Sequence, residues 1–232
     1  MNLKQNRFTI FAVESIFNPD RINQLDYFSI EHTILLKSFL LQNSIEHILN
    51  SYPEEGINVL LNSEDQSFIP EFLFSDLIQL IYWEKLDRDF LSTLIESYFS
   101  NSLDKIIFHN QAIGLTSSDL NKASSLISQQ ENNIVFGKSD SEFIAFLAFR
   151  NIDADTLTEF VNPDFNYDKF LSAVTRNDHF LNILSNFMII NDFKNFNKLY
   201  HELSKKESEA YCSQKMHEKF THLFIEYKEL LK

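Results

Sequence analysis

Glycine is scarce in this chain of 232 residues, which contains only Gly56, Gly114 and Gly137. Isolated glycines exclude the phosphate-binding motifs G-x-x-x-x-G-K-[ST] and G-x-G-x-x-G, in which the backbone must approach a phosphate closely. The G-x-S-x-G turn that carries a serine nucleophile is absent too. Because no Asn-Gly or Asp-Gly dipeptide is available for a two-residue turn, the sequence disfavours a hairpin-rich β architecture.

Cysteine is nearly absent, and long apolar runs are missing. A single cysteine, Cys212, excludes an internal disulfide and is typical of a reducing compartment. The longest uninterrupted apolar run covers residues 143–149, whereas about 20 residues are needed to span a bilayer. The apolar segment at 8–13 is too short for a secretory signal. These features predict a cytoplasmic protein without a membrane partner.

Signals for helix N-termini are abundant. Asp87, Thr116, Asp153 and Asn166 are residue types whose side chains cap free backbone N–H groups. We therefore predict an all-α protein, either an irregular multi-helix bundle or a short α-solenoid of antiparallel helix pairs. The segment 8–17 is compatible with helix or strand, and 133–136 with a short extended segment. The predicted helices span about 31–50, 53–62, 70–85, 88–100, 103–112, 117–130, 140–150, 154–161, 167–176, 178–190, 192–203 and 205–231.

The segment 205–231 predicts a long amphipathic C-terminal helix. Apolar residues recur there at alternating spacings of four and three, at Met216, Phe220, Leu223, Tyr227 and Leu230. This stripe either docks the helix on the body or forms a dimer, so we predict a monomer or a weak homodimer. The chain is predicted to form one elongated helical domain over 1–232, with a possible division into an acidic half, 1–130, and a C-terminal half, 131–232.

Positive charge is absent between Lys37 and Lys85, although this interval holds eight carboxylates. The whole chain has a net charge of −13, and its first 100 residues contain 15 acids against 6 bases. A localised negative potential attracts a basic protein and repels nucleic acid and anionic membranes. The alternative is that the acidity has no binding role and only prevents the protein from aggregating.

Aromatic residues are interleaved with these carboxylates. Tyr and Trp dominate interface hot spots, and surrounding carboxylates steer a basic partner, although Trp83 could equally fill the core. The predicted partner-binding residues are Glu46, Tyr52, Glu54, Glu55, Glu64, Asp65, Glu71, Asp76, Tyr82, Trp83 and Glu84.

Candidate catalytic and metal motifs are weak. His217 and His222 are five residues apart, so on a regular helix they diverge by about 140° and do not chelate one metal. The pairs Asp87/Asp89 and Asp153/Asp155 are explained by capping at helix N-termini. The sequence therefore predicts no catalytic residues, no metal site and no cofactor.

The leading hypothesis is a non-enzymatic acidic protein that neutralises or recruits a basic protein partner. Its most concrete form is an immunity or antitoxin-like inhibitor of a toxin or nuclease. The alternative is a helical scaffold or adaptor protein, dimeric through 205–231. A third hypothesis is an enzyme with a site dispersed over a helical bundle.

Overall fold

The structure, a computed structural model, describes residues 6–99, 104–140 and 143–231, without the side chains of residues 185 and 186. An eight-stranded mixed sheet runs through the molecule, with strand order β3-β2-β1-β4-β7-β6-β8-β5. The strands are β1 (Phe8–Phe11), β2 (Ile57–Asn62), β3 (Ile78–Trp83), β4 (Lys105–His109), β5 (Ala112–Ile113), β6 (Asn133–Ser139), β7 (Ile144–Phe149) and β8 (Phe180–Ile189).

The sheet has two halves of different direction. In the parallel half, β3-β2-β1-β4, every neighbouring pair is parallel, and Phe8 of β1 lies between Ile57 of β2 and Ile106 of β4. In the mixed half, β7-β6-β8-β5, β7 is antiparallel to both β4 and β6, β8 is parallel to β6, and β5 is antiparallel to β8. Parallel neighbours need crossover connections, and helices supply most of them here.

The helices are α1 (Ile30–Ser51), α2 (Arg88–Leu94), α3 (Ser117–Ile127), α4 (Ala154–Phe160), α5 (Tyr167–Arg176), α6 (Phe193–Leu203) and α7 (Gln214–Glu226). A π-helical turn, Ile95–Phe99, follows α2. Local capping sets most starts. For example, Thr116 and Asp119 form a reciprocal capping box at the start of α3.

Three apolar clusters fill the space between these elements. One face of the sheet packs on α1, α3 and the segment between β2 and β3, and includes Phe8 and Phe146. The other face packs on α2, α4 and α5, around Phe136 and Phe170. A third cluster joins α1, α6 and α7 to the ends of β5 and β8. The result is a three-layer α/β architecture.

The all-α prediction is wrong, and the bundle and solenoid alternatives are wrong with it. Scarce glycine argues against two-residue hairpins, but parallel strands are joined by crossovers and need none. Strands buried on both faces also read as continuous apolar runs, without the alternation that marks a half-exposed strand. The predicted helices at 53–62, 70–85, 103–112, 140–150 and 178–190 contain β2, β3, β4 with the first residue of β5, β7 and β8 respectively.

Other predictions of local structure have mixed outcomes. The helices predicted at 31–50, 117–130, 154–161, 167–176 and 192–203 are confirmed, and 133–136 is extended as part of β6. The long C-terminal helix is wrong, because a 3-10 turn at Lys206–Ala210 is separated from α7 by a break before Ser213. Residues 100–103 and 141–142, which belong to predicted helices, lie outside the described residues.

Within the described ranges, none of the helices combines the length and the apolar character that crossing a bilayer requires.

Candidate functional site at the carboxyl ends of β1 and β4

The order of the strands reverses at β1. The chain places β2 and β3 on one side of β1 and then returns to place β4 on the other side. In open α/β sheets, ligands bind in the crevice beyond the carboxyl ends of the strands at such a reversal. The candidate site therefore lies just after Phe11 of β1 and His109 of β4.

A buried polar cluster occupies this position. The Glu14 carboxylate accepts from Lys37 Nζ at 2.6 Å and from Gln111 Nε2 at 2.9 Å through Oε1. Its Oε2 accepts from Asn23 Nδ2 at 2.6 Å. Lys37 Nζ also donates to the Asn23 carbonyl at 3.2 Å. The Lys37 side chain is 2% exposed and that of Glu14 is 21% exposed, so the carboxylate is the more open member of the ion pair.

Three separate elements place these side chains. Glu14 follows β1, Lys37 lies early in α1, and Gln111 lies in the link between β4 and β5. Gln111 is held from two sides, since its backbone N–H donates to His109 Nδ1 at 3.2 Å and its carbonyl accepts from Ile190 N at 3.1 Å. A buried ammonium requires a paired anion, and this arrangement supplies one.

Asn110 has an unusual environment. It is fully buried, and its backbone N–H donates to the Phe11 carbonyl at 2.9 Å, which ties the ends of β1 and β4 together. Its side-chain Nδ2 and Oδ1 are both buried without a hydrogen-bond partner. Buried amides are normally paired, so the two unpartnered atoms of Asn110 are an exception that lies at the reversal of strand order.

His109 is neutral at ordinary pH. Burial lowers the pKa of His109 to about 4, although the nearby Glu14 carboxylate acts in the opposite direction. Its role in the described structure is to accept the hydrogen bond from Gln111, not to provide positive charge.

The loop after β1 is closed by a carboxylate of the chain itself. Asp65, fully buried in the 3-10 turn Ser63–Phe68, accepts from the backbone N–H groups of Ile16, Phe17 and Asn18 at 2.9–3.3 Å. Its Oδ1 also accepts from Ser15 Oγ at 2.6 Å. Successive backbone N–H groups of this kind form an anion-binding nest. Here Asp65 occupies the nest, so a ligand phosphate would need other donors.

The predicted partner-binding residues do not converge on this site. Asp65 and Trp83 are buried, and Trp83 Nε1 donates to the Ala12 carbonyl at 3.0 Å. Two of the predicted acids are neutralised, Glu46 by Lys215 at 2.9 Å and Glu64 by Arg21 at 3.2 Å. The exposed members are Glu54, Glu64, Glu71, Asp76 and Glu84, and the partly buried ones are Glu46, Tyr52, Glu55 and Tyr82. Binding of a basic partner at this surface stays a prediction.

The sequence carried a faint signal for the site that was missed. Two short apolar segments, 8–13 and 106–108, are each followed directly by polar residues. Strand ends in a parallel sheet produce this pattern. In the described ranges, no three His, Cys, Asp or Glu side chains come together as a metal site. The cluster offers instead one ammonium, one carboxylate and several amide groups.

Comparison with known proteins gives similarity at the level of the fold. No protein-family model matches the chain, and no curated protein matches it. A solved structure described as a "putative nucleotide-diphospho-sugar transferase" from Desulfovibrio desulfuricans G20 superposes with a TM-score of 0.69 and 10% identity, covering 97% of this chain and 95% of that one. A "putative glucose-1-phosphate thymidylyltransferase" from Bacillus anthracis, in complex with a sucrose, superposes with a TM-score of 0.54 and 9% identity, covering 84% and 93%.

These similarities show that the chain shares the mixed α/β fold of these two solved structures. They contradict the hypothesis of a non-enzymatic, immunity or antitoxin-like protein, which was inferred from charge, size and the absence of catalytic motifs. The prediction that the chain is not an enzyme is corrected on the same ground. The absence of glycine-rich motifs was a poor argument against an enzyme, because the polar cluster at the strand ends is built from side chains and not from a glycine-rich loop.

Proposed function

We propose that this protein is a transferase that acts on a nucleotide-activated donor, bound beyond the carboxyl ends of β1 and β4. The observation that carries the proposal is the fully buried Asn110, with two unpartnered amide atoms, at the reversal of strand order. The names of the two structural neighbours, a nucleotide-diphospho-sugar transferase and a thymidylyltransferase, support the same class of substrate.

Lys37 is the residue proposed to contact the donor's phosphates. Its ammonium donates to Glu14 and to the Asn23 carbonyl, which leaves the third of its hydrogens for a phosphate oxygen. The charge of Lys37 would also offset the negative charge that develops on the leaving phosphate. Because Asp65 already fills the nest of the β1 loop, side chains and not that loop would supply the phosphate contacts.

Glu14 is proposed as the proton acceptor. In transfer of a sugar, the acceptor oxygen forms a bond to the anomeric carbon, and the bond from that carbon to the diphosphate breaks with its electron pair. The acceptor hydroxyl loses its proton to the Glu14 carboxylate. Gln111 and Asn23 hold this carboxylate in place through their amide hydrogens.

Binding provides the first test. Titration of the protein with UDP, GDP, ADP and dTDP in a calorimeter should reveal one preferred nucleotide. Gln111→Ala should weaken that binding by about tenfold, because Gln111 helps to hold the Glu14–Lys37 pair from which the phosphate contact is proposed to come. Gln129→Ala, at an exposed position, is the matched control and should bind as the wild type does. Failure of all four nucleotides to bind would overturn the proposal.

Turnover provides the second test. Wild-type protein supplied with the sugar derivative of the preferred nucleotide should release nucleoside diphosphate, or pyrophosphate when supplied with the triphosphate and a sugar phosphate. Glu14→Gln keeps the shape of the side chain and should lower kcat by 100-fold or more, as loss of a general base does, and its thermal melt is measured in parallel because Lys37 loses its paired anion. An unchanged kcat in Glu14→Gln would refute the assigned role.

A further inference from the structure

Strand β8 has an outer edge that is unpaired over most of its length. Its inner edge pairs with β6 from Phe180 onward, whereas β5 covers the outer edge at Met188 and Ile189. No strand of the described ranges pairs with the outer edge from Phe180 to Leu184. Backbone groups on such an edge are a template for another strand.

Over residues 180–184 this edge lacks charge and proline, and the register shift between β6 and β8, a bulge of the kind that protects edges, comes only after Leu184. Natural edge strands are protected by charged side chains, prolines or short length, but the segment 180–191 contains no charged residue and no proline in a chain of net charge −13. Two apolar side chains are also open to solvent, with Phe180 61% exposed and Ile183 53% exposed. Two copies of this acidic protein could approach here without bringing like charges together.

The residue pattern of the edge is complementary to itself. Antiparallel pairing around a two-fold axis places residues at equal distances from the axis opposite each other. With the axis at Asn182, Phe180 lies opposite Leu184 and Leu181 opposite Ile183, while Asn182 meets its own copy. Every apolar side chain is then paired with an apolar one, and the self-paired residue is an amide that can donate and accept.

We propose that the free edge of β8 is a homodimer interface, in which two chains pair antiparallel with the two-fold axis at Asn182. The register is limited to residues 180–184 because β5 occupies the same edge further along. The dimer would extend the eight-stranded sheet continuously across both copies.

A charge at the interface tests the location of the dimer. In sedimentation velocity over low micromolar to submillimolar concentrations, the wild type should self-associate, and Ile183→Lys should raise the dimer dissociation constant at least about tenfold. The matched control is Ile225→Lys, which changes a residue of similar exposure, 57%, on α7. A wild type that stays monomeric at every concentration would overturn the proposal. A dimer disrupted by Ile225→Lys and not by Ile183→Lys would overturn it in favour of α7.

Cross-linking tests the register. Residues directly opposite in an antiparallel pair have Cβ atoms about 4.5–5.5 Å apart, close to the geometry of a disulfide. Mild oxidation of Asn182→Cys should therefore yield a covalent dimer several-fold faster than Asn50→Cys, whose cysteine lies exposed on α1. The native Cys212 is 4% exposed and burial raises the pKa of its thiol to about 12, so it contributes little background. Equal rates for the two variants would refute the register.

Discussion

The two halves of the sheet differ in where they present polar and apolar groups. In the parallel half, the strands end together, and the groups that follow them meet in one buried cluster that joins Glu14, Lys37 and Gln111. In the mixed half, no described strand pairs with the outer edge of β8 from Phe180 to Leu184, and Phe180 and Ile183 are exposed there. Parallel strands end at the same edge of the sheet, so the residues that follow them can form a site. A strand without a neighbour on one side has free backbone groups, which can pair with another chain.

The largest expected effect lies in the loop after β1. Asp65→Ala should lower the free energy of unfolding by roughly 3–5 kcal/mol, because it leaves the N–H groups of Ile16, Phe17 and Asn18 without their acceptor inside the protein. Urea denaturation measures the change. Asp65→Asn retains the size and one acceptor oxygen, so it should cost less than Asp65→Ala. An effect of Asp65→Ala below about 1 kcal/mol, within the usual range of surface changes, would show that the nest is not closed by this carboxylate.

The second prediction concerns pH and the end of β4. The pKa of His109 is lowered by burial to about 4, from 6.5. The unfolded chain therefore binds more protons than the folded chain between these two pH values. The contribution of His109 to the free energy of unfolding is fully present above pH 6.5 and is lost as the pH falls toward 4. The contribution of His109 is roughly 3 kcal/mol over this window.

His109→Asn keeps an acceptor near Nδ1 and removes the titration. We expect the difference in unfolding free energy between wild type and variant to change with pH between about 4 and 6.5, measured by urea denaturation at a series of pH values. A constant difference across this range would contradict the neutral, buried imidazole at the candidate site.

The smallest of these effects lies in the mixed half. A Cβ at Gly137 would come within 2.9 Å of Phe187 Cδ2 and closer still to the Phe146 ring. These rings are fully packed, so Gly137→Ala should cost about 1–3 kcal/mol through overpacking. Gly56→Ala is the counterpart in the parallel half, where the added Cβ would meet the side chain of Asn6. Thermal melts should show a loss for Gly56→Ala as well, because the Asn6 amide is buried and donates to Asn58 Oδ1 at 2.9 Å, so moving it breaks a buried hydrogen bond.

Local signals in the sequence predicted local structure well. The starts of α3 and α4 follow from Thr116 and Asp153, whose side chains accept from backbone N–H groups three residues ahead. The strands were missed because their short apolar runs, such as 106–108 in β4, are too short to show a period that separates strand from helix. The long negative interval was read as one surface, yet the fold buries Asp65 and pairs Glu46 with Lys215.

The candidate site could not be predicted from the sequence for a different reason. Glu14 and Gln111 are 97 residues apart in the chain and meet only because β1 and β4 are neighbours. No spacing rule connects two residues at that separation, and the strand order that brings them together is a property of the whole sheet. The pattern of an apolar strand followed by polar residues identifies the residues after β1 and those after β4 separately. It does not predict that the two groups lie next to each other in the fold.

Strand β8 connects the free edge to the polar cluster. It runs ten residues from Phe180, and just past its end the Ile190 N–H donates to the Gln111 carbonyl at 3.1 Å. A ligand held at the polar cluster and a second chain paired with β8 would thus act on two backbone segments that this hydrogen bond joins. Thermodynamic reciprocity then requires that any tightening of self-association by a nucleotide equals the tightening of nucleotide binding by self-association, so the two equilibria would need to be titrated together.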